Sequence, residues 1–126
     1  MGDLHVGGFI GSWQGTGSVN RCYSEGEVSG TNQVGGFLGR DISSATDPFS
    51  DNFWDVQTSG LTDGIGSGAE PGVTGKTTVE MKQESTFTNW NFNETWWIDE
   101  GIDYPRLTWQ LGELPSAVEN WRLYNQ

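Results

Sequence analysis

Apolar residues in this chain fall in short blocks separated by glycines and polar turns, and the first blocks are written twice. Val6-Gly7-Gly8-Phe9-Ile10-Gly11 returns 28 positions on as Val34-Gly35-Gly36-Phe37-Leu38-Gly39. The block from Val19 to Gly30 returns 30 positions on as Phe49 to Gly60, so the second copy carries two extra residues between its blocks. An insertion there, within Arg40 to Pro48, belongs in a surface loop. Alternation puts Val6, Gly8 and Ile10 on one face and Gly7, Phe9 and Gly11 on the other. This predicts one strand from Val6 to Gly11, buried on both sides, with glycine where another backbone comes close. In the next block Val19, Arg21, Tyr23 and Glu25 share a face against Asn20, Cys22 and Ser24. The copy stacks Phe49 on Val19 and Phe53 on Tyr23, with Ser-Gly marking each corner. Like residues stacked one copy apart are how a β-solenoid builds its core.

Beyond the repeats the pattern changes. Of 19 glycines, 17 lie at or before Gly75, whereas five of the seven tryptophans lie after it, so a heavier segment closes a glycine-punctuated array. Gly60 to Gly75 reads as a loop. Thr77-x-x-Glu80 is a capping box that opens a short helix ending by Phe87. Trp90 to Phe92 and Trp96 to Ile98 read as strands and Asp99 to Gly101 as a turn. Tyr104 to Trp109 is a last extended segment, made an edge by Pro105. Ser116 to Tyr124 reads as a terminal helix. The expected fold is all-β: a short, parallel β-helix-like solenoid of two repeats of about 28–30 residues, closed by a divergent segment with one short helix. One domain divides into repeats (6–60), Gly-rich loop (61–75), capping segment (76–109) and C-terminal extension (110–126).

Gly8-Phe9-Ile10-Gly11 and Gly36-Phe37-Leu38-Gly39, each followed by an aromatic-bearing block ending in Ser-Gly, resemble GLUG-motif repeats. The segment carrying Phe53-Trp54-Asp55, Thr58-Ser59-Gly60, Thr74 to Thr78, Glu80-Met81, Phe87, Trp90, Phe92, Trp97 to Gly101, Tyr104-Pro105 and Leu107 is similar to the one that closes such arrays in large bacterial and archaeal surface proteins. The likeness runs from Val6 to Trp109. It departs at Phe9 and Phe37, where the family usually has Leu. The resemblance implies an extracellular, adhesin-like or fibrous context and carries no catalytic residues.

Charge narrows the function classes. The 126 residues suit one domain, and six basic against 17 acidic residues give a net charge of −11. That balance argues against nucleic acid, whose phosphates need Lys and Arg, and against a polybasic membrane contact. No apolar run approaches the roughly 20 residues of a membrane helix, and no signal-peptide pattern is present. The abrupt entry into the first repeat reads as a cut through a longer array. The lone Cys22, matched by Asn52 in the second copy, reads as an ordinary half-buried thiol.

Several motifs invite chemistry. Thr74-Gly75-Lys76-Thr77 suggests a phosphate loop, but Glu70 stands where the first P-loop glycine belongs. Asp99-Glu100-Gly101-Ile102-Asp103 and the series Asp47, Asp51, Asp55 gather carboxylates as calcium sites do, yet neither matches an EF-hand or nonapeptide loop. Glu25 with Glu27, or Glu25 above Asp55, could do acid–base work on a sugar, which makes a polysaccharide-acting enzyme the third reading, behind a non-catalytic structural or adhesive surface module and a carbohydrate-binding module. His5 is the only histidine. Asn93-Glu94-Thr95 is a glycosylation sequon by pattern. Trp90, Trp96 and Trp97 read as caps over the open end of the array, and Trp121 belongs with them. Trp13, in a polar stretch, is the better candidate for exposed sugar stacking. The expectation is no catalytic, metal or cofactor residue. The expected partners are further repeats or another copy through the open N-terminal edge, with glycans as an alternative ligand.

Overall fold

The computed structural model describes residues 4–14, 16–42, 48–67 and 72–109. Its organising feature is the pairing of the two copies. The first copy contributes β1 (Leu4–Gly7), β2 (Ile10–Trp13), β3 (Val19–Asn20) and β4 (Tyr23–Ser24). The second contributes β5 (Asn32–Gly35), β6 (Leu38–Asp41), β7 (Phe49–Ser50) and β8 (Asn52–Asp55). Each strand lies parallel on its counterpart, with Val6 beside Val34, Ile10 beside Leu38, Val19 beside Phe49 and Tyr23 beside Phe53. The two offsets read from the repeat are thus the register of the sheets. Each sheet is small, two or three strands wide.

Gly60 to Gly75 is more than a loop. Within it β9 (Ile65–Ser67) pairs with β6, and β10 (Val73–Lys76) pairs with β8, both in parallel. A partial third layer follows the two copies. Composition hid it because its strands are themselves rich in glycine.

The Gly-Gly block is two strands rather than one. The chain bends at Gly8-Phe9 and again at Gly36-Phe37, and the bends stack through Phe9 N–H and Ile10 N–H donating to the Phe37 carbonyl at 2.9 and 3.0 Å. Glycine is required because the two limbs of each bend meet backbone to backbone. A Cβ on Gly7 would lie 2.0 Å from the Ile10 carbonyl oxygen, and one on Gly35 would lie 2.2 Å from that of Leu38. The next pair of blocks is broken in the same way. Arg21 and Asp51 occupy the left-handed region at φ 53° and 55°, which resets the alternation, so Val19 faces inward while Tyr23 faces outward. Val19 and Tyr23 therefore do not share a face. Asn52, fully buried, spans this corner: its Oδ1 accepts from Cys22 N–H and its Nδ2 donates to the Val19 carbonyl, both at 2.9 Å. That satisfies backbone groups which the kink removes from the ladder.

Two apolar clusters result. The inner one holds Val19, Phe37, Leu38, Phe49, Trp54 and Ile65. Trp54 fills the space left by three glycines: a Cβ on Gly36, Gly64 or Gly75 would come within 2.2, 2.5 and 2.8 Å of its ring. The outer one holds Phe53, Met81, Phe87 and Trp90, with Tyr23, Phe92, Trp96, Ile98 and Tyr104 packed around it. Tyr23 and Phe53 belong to the outward face of the β4–β8–β10 sheet. The tryptophan-rich segment therefore covers a flank of both copies, instead of capping the open end as the sequence suggested.

The cover itself is mostly irregular. The Thr77 capping box forms, with Thr77 N–H donating to Glu80 Oε1 at 2.9 Å and Glu80 N–H to Thr77 Oγ1 at 3.2 Å. It opens two 3-10 turns, Glu80–Lys82 and Glu84–Thr86, rather than an α-helix. The α-helical turn is Val56–Ser59 (α1), capped by Asp55 and ended by Gly60 at φ 76°. Trp90 to Phe92 is not a strand, because Trp90 turns inward with Phe87. β11 (Trp96–Trp97) and β12 (Arg106–Leu107) pair antiparallel, so the last extended segment is an edge as expected, though shorter. The expected helix from Ser116 to Tyr124 lies outside the described residues, as do residues 43–47 of the insertion.

Candidate functional site

Among the carboxylates, Asp55 is the best placed and the most occupied. It ends β8, fully buried, at the N-terminus of α1. Its Oδ1 accepts from the N–H groups of Gln57 and Thr58 at 2.9 and 3.1 Å. Its Oδ2 accepts from Thr78 Oγ1 at 2.8 Å and Tyr104 Oη at 2.7 Å. Burial raises its pKa, but hydrogen bonds from Tyr104, Thr78 and the two amides outweigh this and hold it below the usual carboxylate value. Tyr104 is pushed up by burial and by the Asp55 hydrogen bond and charge. With both oxygens engaged by four donors, Asp55 is a joint between the repeats and their cover. It has no free lone pair aimed at a substrate.

The register carries Glu25 over Asp55, as the repeat predicted. Glu25 is exposed, and its pKa is raised by burial of the carboxyl and then by the charges of Asp103 and Asp55. The pair does not form a glycosidase arrangement, since one member is tied in a helix cap. Glu27 is exposed. His5 lies within β1 in a left-handed conformation, φ 52°, matched by Gln33 at 47° in the second copy, so its place is set by the repeat.

The suspected calcium clusters do not converge. Glu100 accepts from Glu84 N–H at 2.6 Å, while Asp103 pairs with Arg106 and accepts from Tyr104 N–H. Asp51 accepts from Asn89 Nδ2 at 3.1 Å, and Asp47 lies outside the described residues. Among the described residues no group of three or more His, Cys, Asp or Glu side chains comes together. Val73–Lys76 is a paired strand, which leaves no phosphate-binding loop at Gly75-Lys76.

The tryptophans divide differently from expectation. Trp13 ends β2 half-buried, its ring 6.2 Å from that of Phe49 and packed on the inner cluster, so it is not an exposed sugar platform. Trp90 is 7% exposed, stacks on Tyr23 at 6.2 Å and donates its indole N–H to the Asp51 carbonyl at 2.8 Å. Trp96 lies 4.3 Å from Trp90 and is half-buried. Trp121 lies outside the described residues. The sequon residues Asn93 and Thr95 are exposed on a turn tied by Asn91 Oδ1, which accepts from Asn93 and Glu94 N–H.

Among the described residues there is a cleft that sequence reasoning missed. It holds about 360 Å³, open to solvent and mainly apolar. Phe9, Arg21, Cys22 and Tyr23 of the first copy form one wall, and Trp96, Pro105, Arg106 and Leu107 of the cover form the other. Tyr23 Oη donates to the Pro105 carbonyl at 2.7 Å across its floor. Burial, then the charges of Glu25 and Asp103, push the Tyr23 pKa up to about 12. Burial also raises that of Cys22. Phe9 is 47% exposed here, although its counterpart Phe37 is fully buried and the two rings stack at 5.0 Å. The expectation that both are buried thus holds only for Phe37. The sequence signal for this cleft was the repeat itself, which marks Phe9 and Tyr23 as residues of the first of the two copies.

No family model matches the chain, and no solved structure matches it. It is 36% identical over 120 residues to a protein of Evansella cellulosilytica named as a Gly-rich membrane protein. It is 33% identical over 108 residues to halomucin of Haloquadratum walsbyi. These alignments take in 86% and 73% of this chain but only 13% and 1% of the relatives' lengths. Among the described residues no helix is long and apolar enough to cross a membrane. Among the described residues most regular elements are strands, and the chain is similar to short stretches of two much longer proteins, one named for a membrane and the other a halomucin.

Proposed function

We propose that the chain is a short β-solenoid built from GLUG-like repeats, serving as a non-catalytic structural and adhesive module of a secreted or cell-surface protein. The observation that carries this reading is the parallel, in-register stacking of equivalent residues from copy to copy. Such layers bury a continuous core only by adding to one another. The occupied state of Asp55 and the scattered acidic groups support a role without catalysis, and the names of the two relatives support a surface setting. Among the described residues, β1 to β4 are each paired on one side only. Edges of this kind recruit further strands unless they are blunted, so the partners are further repeat layers or another copy of the chain. The net charge of −11 opposes contact between copies, and screening weakens that opposition. Sedimentation should therefore show association that strengthens from low to high salt. A strict monomer at high concentration in both conditions overturns the open-edge reading.

The aromatic cleft favours a second reading, a glycan-binding module, because Phe9 and Trp96 offer ring surface at its mouth. A glycan array, with Phe9→Ala as control, separates the two.

A further inference from the structure

The cleft lies at the free side of β4, and every residue lining it comes from the first copy or the cover. One layer further in, the equivalent place is full: Phe53, the partner of Tyr23, is 5% exposed and packs against Met81, Phe87 and Trp90. Phe37, the counterpart of Phe9, is likewise closed over. The cover therefore contacts more of the flank than the second copy needs, reaching Tyr23 through Pro105 and Trp96.

We infer that this cleft is an acceptor slot for one more repeat layer preceding the first copy, and specifically for an aromatic side chain at the position equivalent to Tyr23 and Phe53. The inference rests on the stacking reading above and names the partner that stacking requires. Continuity argues for it. The step from the first copy to the second stacks the ring of Phe9 on that of Phe37 and sets Tyr23 beside Phe53 in the strand register. One more step in the same register lays a side chain on the exposed face of Phe9 and a second beside Tyr23, against Trp96 and Leu107. An end-to-end second copy fits less well. Its last layer offers Thr74 at the aromatic position, and it has no described strand to continue the β3–β7 sheet. Such a copy would cover strand edges and leave the slot unfilled.

The test extends the full chain by a layer that copies residues 4–31, placed directly before Leu4 so that the 28-residue register continues. Asparagine replaces the copied cysteine, as Asn52 does in the second copy, leaving Cys22 the only thiol. Because Cys22 lines the cleft, its reaction with a thiol reagent reports occupancy. In the extended chain that reaction should slow about tenfold or more, as for a site reached only by local opening, and Tm should rise. With serine in place of the added tyrosine, most of the shielding and of the Tm gain should disappear. Equal shielding and Tm gain with serine would overturn the aromatic slot while leaving stacking intact. No shielding and no Tm gain in either chain would overturn both. A soluble oligosaccharide that protects Cys22 in the unextended chain, with protection lost in Phe9→Ala, would assign the cleft to sugar instead.

Discussion

Replacing Asp55 with alanine should cost far more than loss of an ordinary surface carboxylate, because one side chain joins three segments. Its Oδ1 caps α1, and its Oδ2 receives the hydroxyls of Thr78 and Tyr104 from the cover. Loss of an N-cap costs about 1 kcal/mol. Each stranded hydroxyl costs about 1 kcal/mol here, the low end of the usual range, since Thr78 and Tyr104 are only half-buried and water can reach them. The expected loss is about 3 kcal/mol, a large share of the roughly 5–15 kcal/mol that holds a domain together. Urea unfolding followed by tryptophan fluorescence measures it, and a loss under about 1 kcal/mol would refute the joint. Asp55→Asn should cost less, since its carbonyl can still cap α1. The pH dependence has a definite sign. The folded pKa of Asp55 is lowered, so its contribution is complete above the unfolded value of about 3.9 and is lost as pH falls through the folded one. Wild type should therefore lose stability over that acid range more steeply than Asp55→Asn, and parallel curves would contradict the assignment.

Phe37→Ala should cost about 3–5 kcal/mol, as for other buried aromatics, and Phe9→Ala less than half as much; equal losses would mean that the first layer is covered after all. Gly36→Ala should destabilise by about 1–3 kcal/mol through overpacking, because the new Cβ meets Trp54 at 2.2 Å. Trp54→Leu in the same chain should return part of that loss, as seen in the urea midpoint. Truncation after Gly75 should give an unfolded or aggregating product, since it strips the cover from Phe53 and Tyr23; a cooperatively melting fragment would show that the inner cluster stands alone.

The register of this fold was legible in the sequence because a repeat states which residues are neighbours. Val6 with Val34 and Tyr23 with Phe53 follow from the two offsets without any judgement about propensity. What alternation misread were the corners. A period-two pattern assumes extended backbone throughout, and it fails where a residue turns left-handed, as Arg21 and Asp51 do. Arg21 carries no mark of it, since glycine is the usual signal for positive φ, and Asp51 carries only a weak one, as aspartate tolerates that region better than most residues. The Gly-Gly pair was read as two face positions, whereas its first member lets two limbs touch and its second, in Gly36, makes room for an indole from the same copy. The α1 turn was readable: Asp55 before Val56 and Gly60 after Ser59 are ordinary cap residues. The Asp55 joint was not, because Thr78 and Tyr104 lie 23 and 49 positions away with no pattern linking them.

Where the cover sits bears on what the stack can do. A segment that closed one end would have to pair with exposed strand edges, and its polar groups would end further addition there. This segment instead spends its aromatics on Tyr23 and Phe53, side chains that stand perpendicular to the direction in which layers add. Apolar contact on a flank stabilises layers already present and leaves the hydrogen-bonding direction untouched. The inner cluster follows the same division. In the second copy Trp54 fills the space between Gly36 and the glycines of the third layer, whereas Ser24 occupies its place in the first. A small side chain there takes little volume, so the bulk that fills the interior is concentrated in the second copy, where Gly36, Gly64 and Gly75 make room for it. The first copy is thus held from the flank and by the second copy, while among the described residues its outer strand edges are unpaired and the face of Phe9 is exposed.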